Sequence, residues 1–368
     1  MTAKEQKLPL YAQATIIVVG LIAFFYIMLV LKSIVVPFIL AVIISIVLYP
    51  VVVFFVKIKC NRLIAIIITL FLAFTVIAAF SIVIISQVSR FVESWPSLVN
   101  KFGELFNQSI VWISASFNIS TDEIGSWIGK TKKELFNTSG AEIGQTLLSV
   151  GGNLALIFLM PVYIFMLLFY QPLIIEFIRR LFGTDKRIEV DKVITQIKTL
   201  IQGYLVGLLI QLVIMATLFS VGLLLLGIEY AIMLGILGAF LNLIPYLGAV
   251  SAAILPMMIA IVTKPSPWYA LLVMALYIVV QFIDNNFIVP KIVASKVKIN
   301  ALVTIIAVIA LGFLWGIAGM VIAIPLLAIV KLIFDNVDGL KPWGFLLGDT
   351  MPPILKTKPF YLRKNKTK

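Results

Sequence analysis

Uninterrupted apolar runs dominate this chain, and their length restricts what it can fold into. They lie near 10–31, 33–56, 63–86, 147–170, 201–226, 231–262, 268–290 and 300–334. A helix needs about 20 apolar residues to cross the hydrocarbon core of a bilayer. The runs are continuous rather than alternating, which excludes a transmembrane β-barrel. Of the 368 residues, 62% are hydrophobic and only 12% charged, too few charges to cover a soluble surface. The expected fold class is an all-α polytopic membrane protein, with the lipid bilayer as its first partner.

The net charge of +13 raises nucleic acid as a partner, and the placement of the charges excludes it. Lys and Arg fall in short loops and in the C-terminal tail, as the positive-inside bias places them. They are not interleaved with exposed aromatics as a nucleic-acid surface requires. A single cysteine, Cys60, and the lack of histidine remove internal disulfides and the commonest transition-metal ligand. No structural metal and no cofactor are expected. The stretch GSWIGKT at 125–131 is one residue short of a P-loop and follows no strand. HExxH, GxSxG and CxxC are absent. The chain does not read as an enzyme, nor as an ATP-driven pump on its own.

Charge sets the expected topology. Lys4 and Lys7 precede the first run, KIKCNR at 57–62 carries three cations and no acid, and the tail holds Lys356, Lys358, Arg363, Lys364, Lys366 and Lys368. Both termini therefore read as cytoplasmic. The first run is too long for a cleaved signal and reads as an uncleaved span. Residues 1–87 form three scaffold spans. Residues 88–146 form a small helical extracytoplasmic domain, because Phe91, Trp95, Leu98, Phe102 and Leu105 recur at helical spacing. Residues 147–200 comprise span four and an amphipathic linker, with Ile188, Val193, Ile197 and Leu200 roughly on one face. That linker either lies along the interface or packs as an ordinary connecting helix. Residues 201–334 form a transport unit and 335–368 a basic cytoplasmic tail.

Two breaks organise the transport unit. NLIPYLG at 242–248 interrupts one run and LGFLWGIAG at 311–319 another, and each is followed by a proline, Pro256 or Pro325. Gly and Pro could simply kink two long helices. Alternatively, each broken run is a re-entrant hairpin that enters and leaves on one side. Hairpins would place the basic loop KIVASKVK at 291–298 inside, as the charge bias prefers. The two span-plus-hairpin units then form an inverted repeat. The expected tips and hinges are Pro245, Gly248, Pro256, Pro290, Gly312, Gly316, Gly319 and Pro325.

The stretch QFIDNNFIVP at 281–290 carries the chemistry. An acidic side chain at mid-bilayer costs about 2.5–3.5 kcal/mol on insertion scales, so it is rarely kept without a role. Gln281, Asn285 and Asn286 stand beside Asp284 to hydrogen-bond it, and no Lys or Arg is near enough in sequence to neutralise it. Such a carboxylate can hold a proton or a small cation such as Na+. The alternative is that Asp284 caps the aqueous end of its span. Asn242, Tyr246 and Ser251 add polar groups beside the first tip, where Tyr246 could equally be an interfacial belt residue.

NLIPYLGAVSAAILP at 242–256, QFIDNNFIVPKIVASKV at 281–297 and GFLWGIAGMVIAIPLLA at 312–328 together resemble the autoinducer-2 exporter family. The resemblance extends over essentially the whole chain. Members commonly carry Glu where Asp284 stands, and often Pro where this chain has Asn300-Ala301. The resemblance implies a bacterial inner-membrane transporter, assembled as a homo-oligomer such as a pentamer, with re-entrant hairpins in a mobile unit. It also implies either export of a small polar solute such as autoinducer-2 or exchange of Na+ or Li+ for H+. Asp284 would then serve as the coupling group between two hairpins. The readings from other classes are an oligomeric membrane scaffold that presents residues 88–146, and a passive channel.

Overall fold

The computed structural model describes residues 9–117, 154–244, 248–293 and 299–350, and every regular element among them is helical. Helices α1 (Leu10–Val30) and α2 (Lys32–Lys57) meet at Leu31. Helix α3 (Arg62–Phe117) is followed by α4 (Leu154–Phe182). Gly183, at φ 81°, and a 3-10 turn over Thr184–Lys186 lead into α5 (Arg187–Leu225). Next come α6 (Ala231–Leu241), α7 (Gly248–Thr263) and α8 (Trp268–Ile283). Helix α8 continues as widened π-type turns over Asp284–Val293. The last helices are α9 (Ala301–Asn336) and α10 (Lys341–Leu347). Among the described residues, seven helices are long and apolar enough to cross a membrane, so the chain is a multi-pass membrane protein.

Two segments differ from the sequence reading. Residues 88–117 are helical and continue α3 without a break, and the rest of the expected domain falls in residues 118–153, outside the described residues. Residues 187–200 are the first turns of α5 rather than a linker apart from a span. No proline falls within 187–225, so nothing interrupts the hydrogen-bond ladder before the apolar part begins.

Both breaks reverse the chain. Helices α6 and α7 have 11 and 16 residues, or roughly 16 and 24 Å at the α-helical rise. Each falls short of the ~30 Å hydrocarbon core. At their junction a Cβ on Gly248 would overlap the carbonyl oxygen of Leu241, so only glycine lets the arms touch there. Helix α9 has 36 residues, but Gly316 (φ 66°, ψ −148°) breaks it in the middle. A Cβ on Gly319 would overlap the carbonyl oxygen of Leu311, although residues eight apart in an unbroken helix are about 12 Å apart. The start of α9 also meets α10, the helix that follows its second arm: the Asn300 amide group donates to the Leu346 carbonyl at 2.7 Å, and the Asn300 N–H donates to the Leu347 carbonyl at 3.1 Å. The second broken run is therefore two arms folded together.

The buried residues form two cores. One joins α2, the first turns of α3, and α4 through Ala41, Val52, Ala65, Ile66, Ile164 and Leu168. The other gathers α5 to α8 around Met215, Phe219, Leu234, Val273 and Tyr277, with Phe91 and Leu98 from the middle of α3. Helix α5 links them, because Gln202 Nε2 donates to the Ile46 carbonyl at 2.6 Å.

Candidate functional site

The site arises where two helices each bury one stripe. On α5 the buried residues Tyr204, Gly207, Gln211, Met215, Phe219 and Leu223 recur at helical spacing. On α8 the stripe Ala270, Val273, Tyr277 and Val280 continues through Asp284 to Ile288. A Cβ on Gly207 would lie 2.6 Å from the Ile292 carbonyl oxygen, so the two backbones touch there. One turn beyond Gly207, Gln211 is held against Asp284. The π-type turns accommodate Pro290, which lacks an N–H and whose ring would clash with the carbonyl four residues back in a regular helix.

Asp284 is 2% exposed. Gln211 Nε2 donates to both of its carboxylate oxygens at 3.0 Å. Asn242 Nδ2, from the C-cap of α6, donates to Oδ2 at 2.9 Å. Three helices thus converge on one carboxylate through three hydrogen bonds from neutral amides. The ion pairs of the described residues engage Glu176, Asp191, Asp335 and Asp338, and none engages Asp284. Amide donors lower the cost of burying the carboxylate without cancelling its charge. Among the described residues no group of three or more metal-binding side chains occurs, so nothing there resembles a polydentate divalent site.

Of the polar residues expected around Asp284, the structure brings Asn242 to it. The amides on its own helix go elsewhere. Gln281 Nε2 donates to Asn285 Oδ1 at 3.2 Å, and Asn286 Nδ2 donates to the Phe282 carbonyl at 2.9 Å. Successive helical residues point about 100° apart, so Asn285 and Asn286 are exposed while Asp284 is buried. Ser251 Oγ donates to the Gly248 carbonyl at 3.2 Å. Pro245 and Tyr246 lie outside the described residues. Pro256 and Pro325 are buried inside α7 and α9, and Pro290 is exposed. A Cβ on Gly312 would stand 2.7 Å from the Met320 methyl across the second fold. Beside that fold, Trp315 Nε1 donates to the Met28 carbonyl of α1 at 3.1 Å. Gln211 was not anticipated. Its signal was present as the amide on an otherwise apolar stripe of period 3.6.

The model of the AI-2E transporter family matches residues 16–339. AI-2 transport protein TqsA of Escherichia coli (strain K12) is 35% identical over 125 residues, covering 34% of this chain and 36% of TqsA. YueF of Bacillus subtilis (strain 168) is 30% identical over 151 residues, 41% of this chain and 40% of YueF. PerM of Escherichia coli (strain K12) is 24% identical over 175 residues, 48% of this chain and 49% of PerM. Each of these matches spans less than half of the relative's own length.

Proposed function

The chain belongs to the AI-2E transporter family, and from that premise we propose that it is a secondary transporter with its coupling site at Asp284. In this reading the carboxylate alternates between a proton and a cargo-linked charge as α5–α9 move against the core built on α2–α4. The cargo is a small polar solute such as autoinducer-2, or Na+ or Li+ exchanged for H+. The single observation that carries the reading is the buried carboxylate held by amides from two other helices, with no ion-pair partner. A charge kept in an apolar core at such cost marks a pathway or relay in membrane proteins.

The amides suit the task. With Asp284 ionised, Gln211 and Asn242 turn their NH2 groups towards it. A proton or a cation on the carboxylate instead calls for an acceptor, and either amide offers its oxygen after a half-turn. The site can therefore follow its own occupancy without moving a helix. The short arms α6 and α7, and the close approach of Gly319 to Leu311 within α9, support the reading that both folds enter and leave the bilayer on one side as an inverted repeat. The basic loops support cytoplasmic termini in a bacterial inner membrane. Homo-oligomerisation, as a pentamer, belongs to the same proposal.

The test is direct. Purified protein in liposomes loaded with a pH-sensitive dye is given Na+, Li+ and K+ in turn, and in parallel labelled autoinducer-2 across an imposed pH gradient. Saturable proton movement with Na+ or Li+ identifies an antiporter, whereas gradient-driven uptake of the labelled solute identifies a solute carrier. Unsaturable conductance with neither response contradicts secondary transport.

A further inference from the structure

Among the described residues, one buried side-chain polar atom has no hydrogen-bond partner: the hydroxyl of Tyr277. The residue is 4% exposed, and its ring stacks on Phe219 with centroids 4.3 Å apart and planes 15° from parallel. A buried tyrosine hydroxyl ordinarily finds a partner, and an unmade bond in an apolar core is costly. The ring already satisfies the packing, so phenylalanine would fill the same space without that cost.

The hydroxyl points at a glycine. A Cβ on Gly238 of α6 would stand 3.0 Å from the Tyr277 oxygen. Gly238 lies one turn before Asn242 on α6. Tyr277 lies seven residues, or about 10.5 Å of helix, before Asp284 on the same buried stripe of α8. Helices α6 and α8 run in the same direction, since Gly238 meets Tyr277 and Asn242, further along α6, meets Asp284, further along the same stripe. They therefore face each other at two levels, with Asp284 and Asn242 at one and Tyr277 and Gly238 at the other. The two levels flank the middle of the apolar span Trp268–Ile292.

We infer that the Tyr277 hydroxyl is a second contact for the transported species, taken up as that species arrives at or leaves Asp284 between α6 and α8. The inference rests on the reading of Asp284 as the binding site. A hydroxyl offers one donor and two acceptor positions and no charge. It can stand in for one water of a hydrated monovalent cation, or hydrogen-bond a hydroxyl of a polar solute, without trapping either. The missing side chain at Gly238 lets the hydroxyl lie against α6, where a Cβ would crowd it at 3.0 Å.

The experiment compares native protein, Tyr277→Phe, Gly238→Ala and Asp284→Asn in liposomes. Probes are Na+ and Li+ for proton exchange and labelled autoinducer-2 for uptake, with thermal unfolding in detergent alongside. Tyr277→Phe is expected to melt at the native temperature or above it, while transport efficiency falls about tenfold through a raised KM, the effect of one lost hydrogen bond to the cargo. Gly238→Ala should lower transport as well, and adding it to Tyr277→Phe should cost little more, because both act on one contact. Native KM and native Na+/Li+ preference in Tyr277→Phe, with Asp284→Asn inactive, would overturn this inference and leave the site at Asp284 standing. A lowered melting temperature in Tyr277→Phe would also overturn it, by making the hydroxyl structural. Full activity in Asp284→Asn would remove the site itself.

Discussion

The two cores of this protein treat buried polar groups in opposite ways. In the core of α2, α3 and α4, Ser45 Oγ donates to the Val42 carbonyl and Thr69 Oγ1 to the Ala65 carbonyl, each at 2.8 Å and each within its own helix. In the core of α5 to α8, Gln211 and Asp284 bond only across helices, and Tyr277 does not bond at all. Cross-helix polar contacts around the first core exist, such as Arg62 to the Leu168 carbonyl at 2.9 Å, but they are half-buried at its edge. A hydroxyl that returns to its own backbone needs nothing from a neighbour, so it survives any rearrangement of the bundle. A carboxylate that depends on three helices reports their arrangement. The first core has the properties of a frame, and the second those of a part that can answer a ligand.

That contrast can be broken by substitution. The largest expected effect is at the first fold. Gly248→Val would drive a side chain into the Leu241 carbonyl, costing about 1–3 kcal/mol or more of stability and abolishing transport, as read by thermal unfolding and liposome flux. Gln211→Leu should leave the fold intact yet remove two of the three hydrogen bonds to Asp284. Bonds to a charged group contribute about 1.5–3 kcal/mol each, so losing two should lower transport efficiency about a hundredfold or more. Asn242→Ala removes one such bond and should cost about tenfold by the same measure. Ser45→Ala and Thr69→Val give the smallest effect. Their bonds are local, so transport should stay within about twofold of native and stability within about 1 kcal/mol. Equal losses in the two cores would erase the distinction drawn between them.

Much of this organisation was legible in the sequence, and the physical reasons are specific. Apolar runs longer than the bilayer core declare helices whatever their neighbours, which is why α1, α2 and α8 with its π-type turns follow the runs so closely. Gly316 and Gly248 marked the folds because left-handed backbone or a missing Cβ is needed where a helix turns back on itself. Helix ends were less legible: Gln87, Ser89 and Arg90 make the chain polar without ending the helix, and Pro96 is carried within it, so α3 extends to Phe117. Asp284 stood out because a lone acid in such a run is rare. Of its partners, Asn242 was among the expected polar residues and Gln211 was not, because contacts between α5, α6 and α8 depend on tertiary packing. The adjacent amides were the natural choice from sequence, but neighbours on a helix point away from one another. Gln211 is 73 positions from Asp284 and becomes its partner only because Gly207 lets the two backbones meet.

The most direct test of the account is the flux of Asp284→Asn beside the native chain in dye-loaded liposomes, at matched protein content and with unchanged melting temperature. Asparagine keeps the shape and loses the charge. The account expects the native protein to move protons with Na+ or Li+, or to carry labelled autoinducer-2 down an imposed pH gradient, and the variant to match empty liposomes. Native rates in the variant would contradict a coupling role for Asp284, and with it the claim that the second core is built around a site.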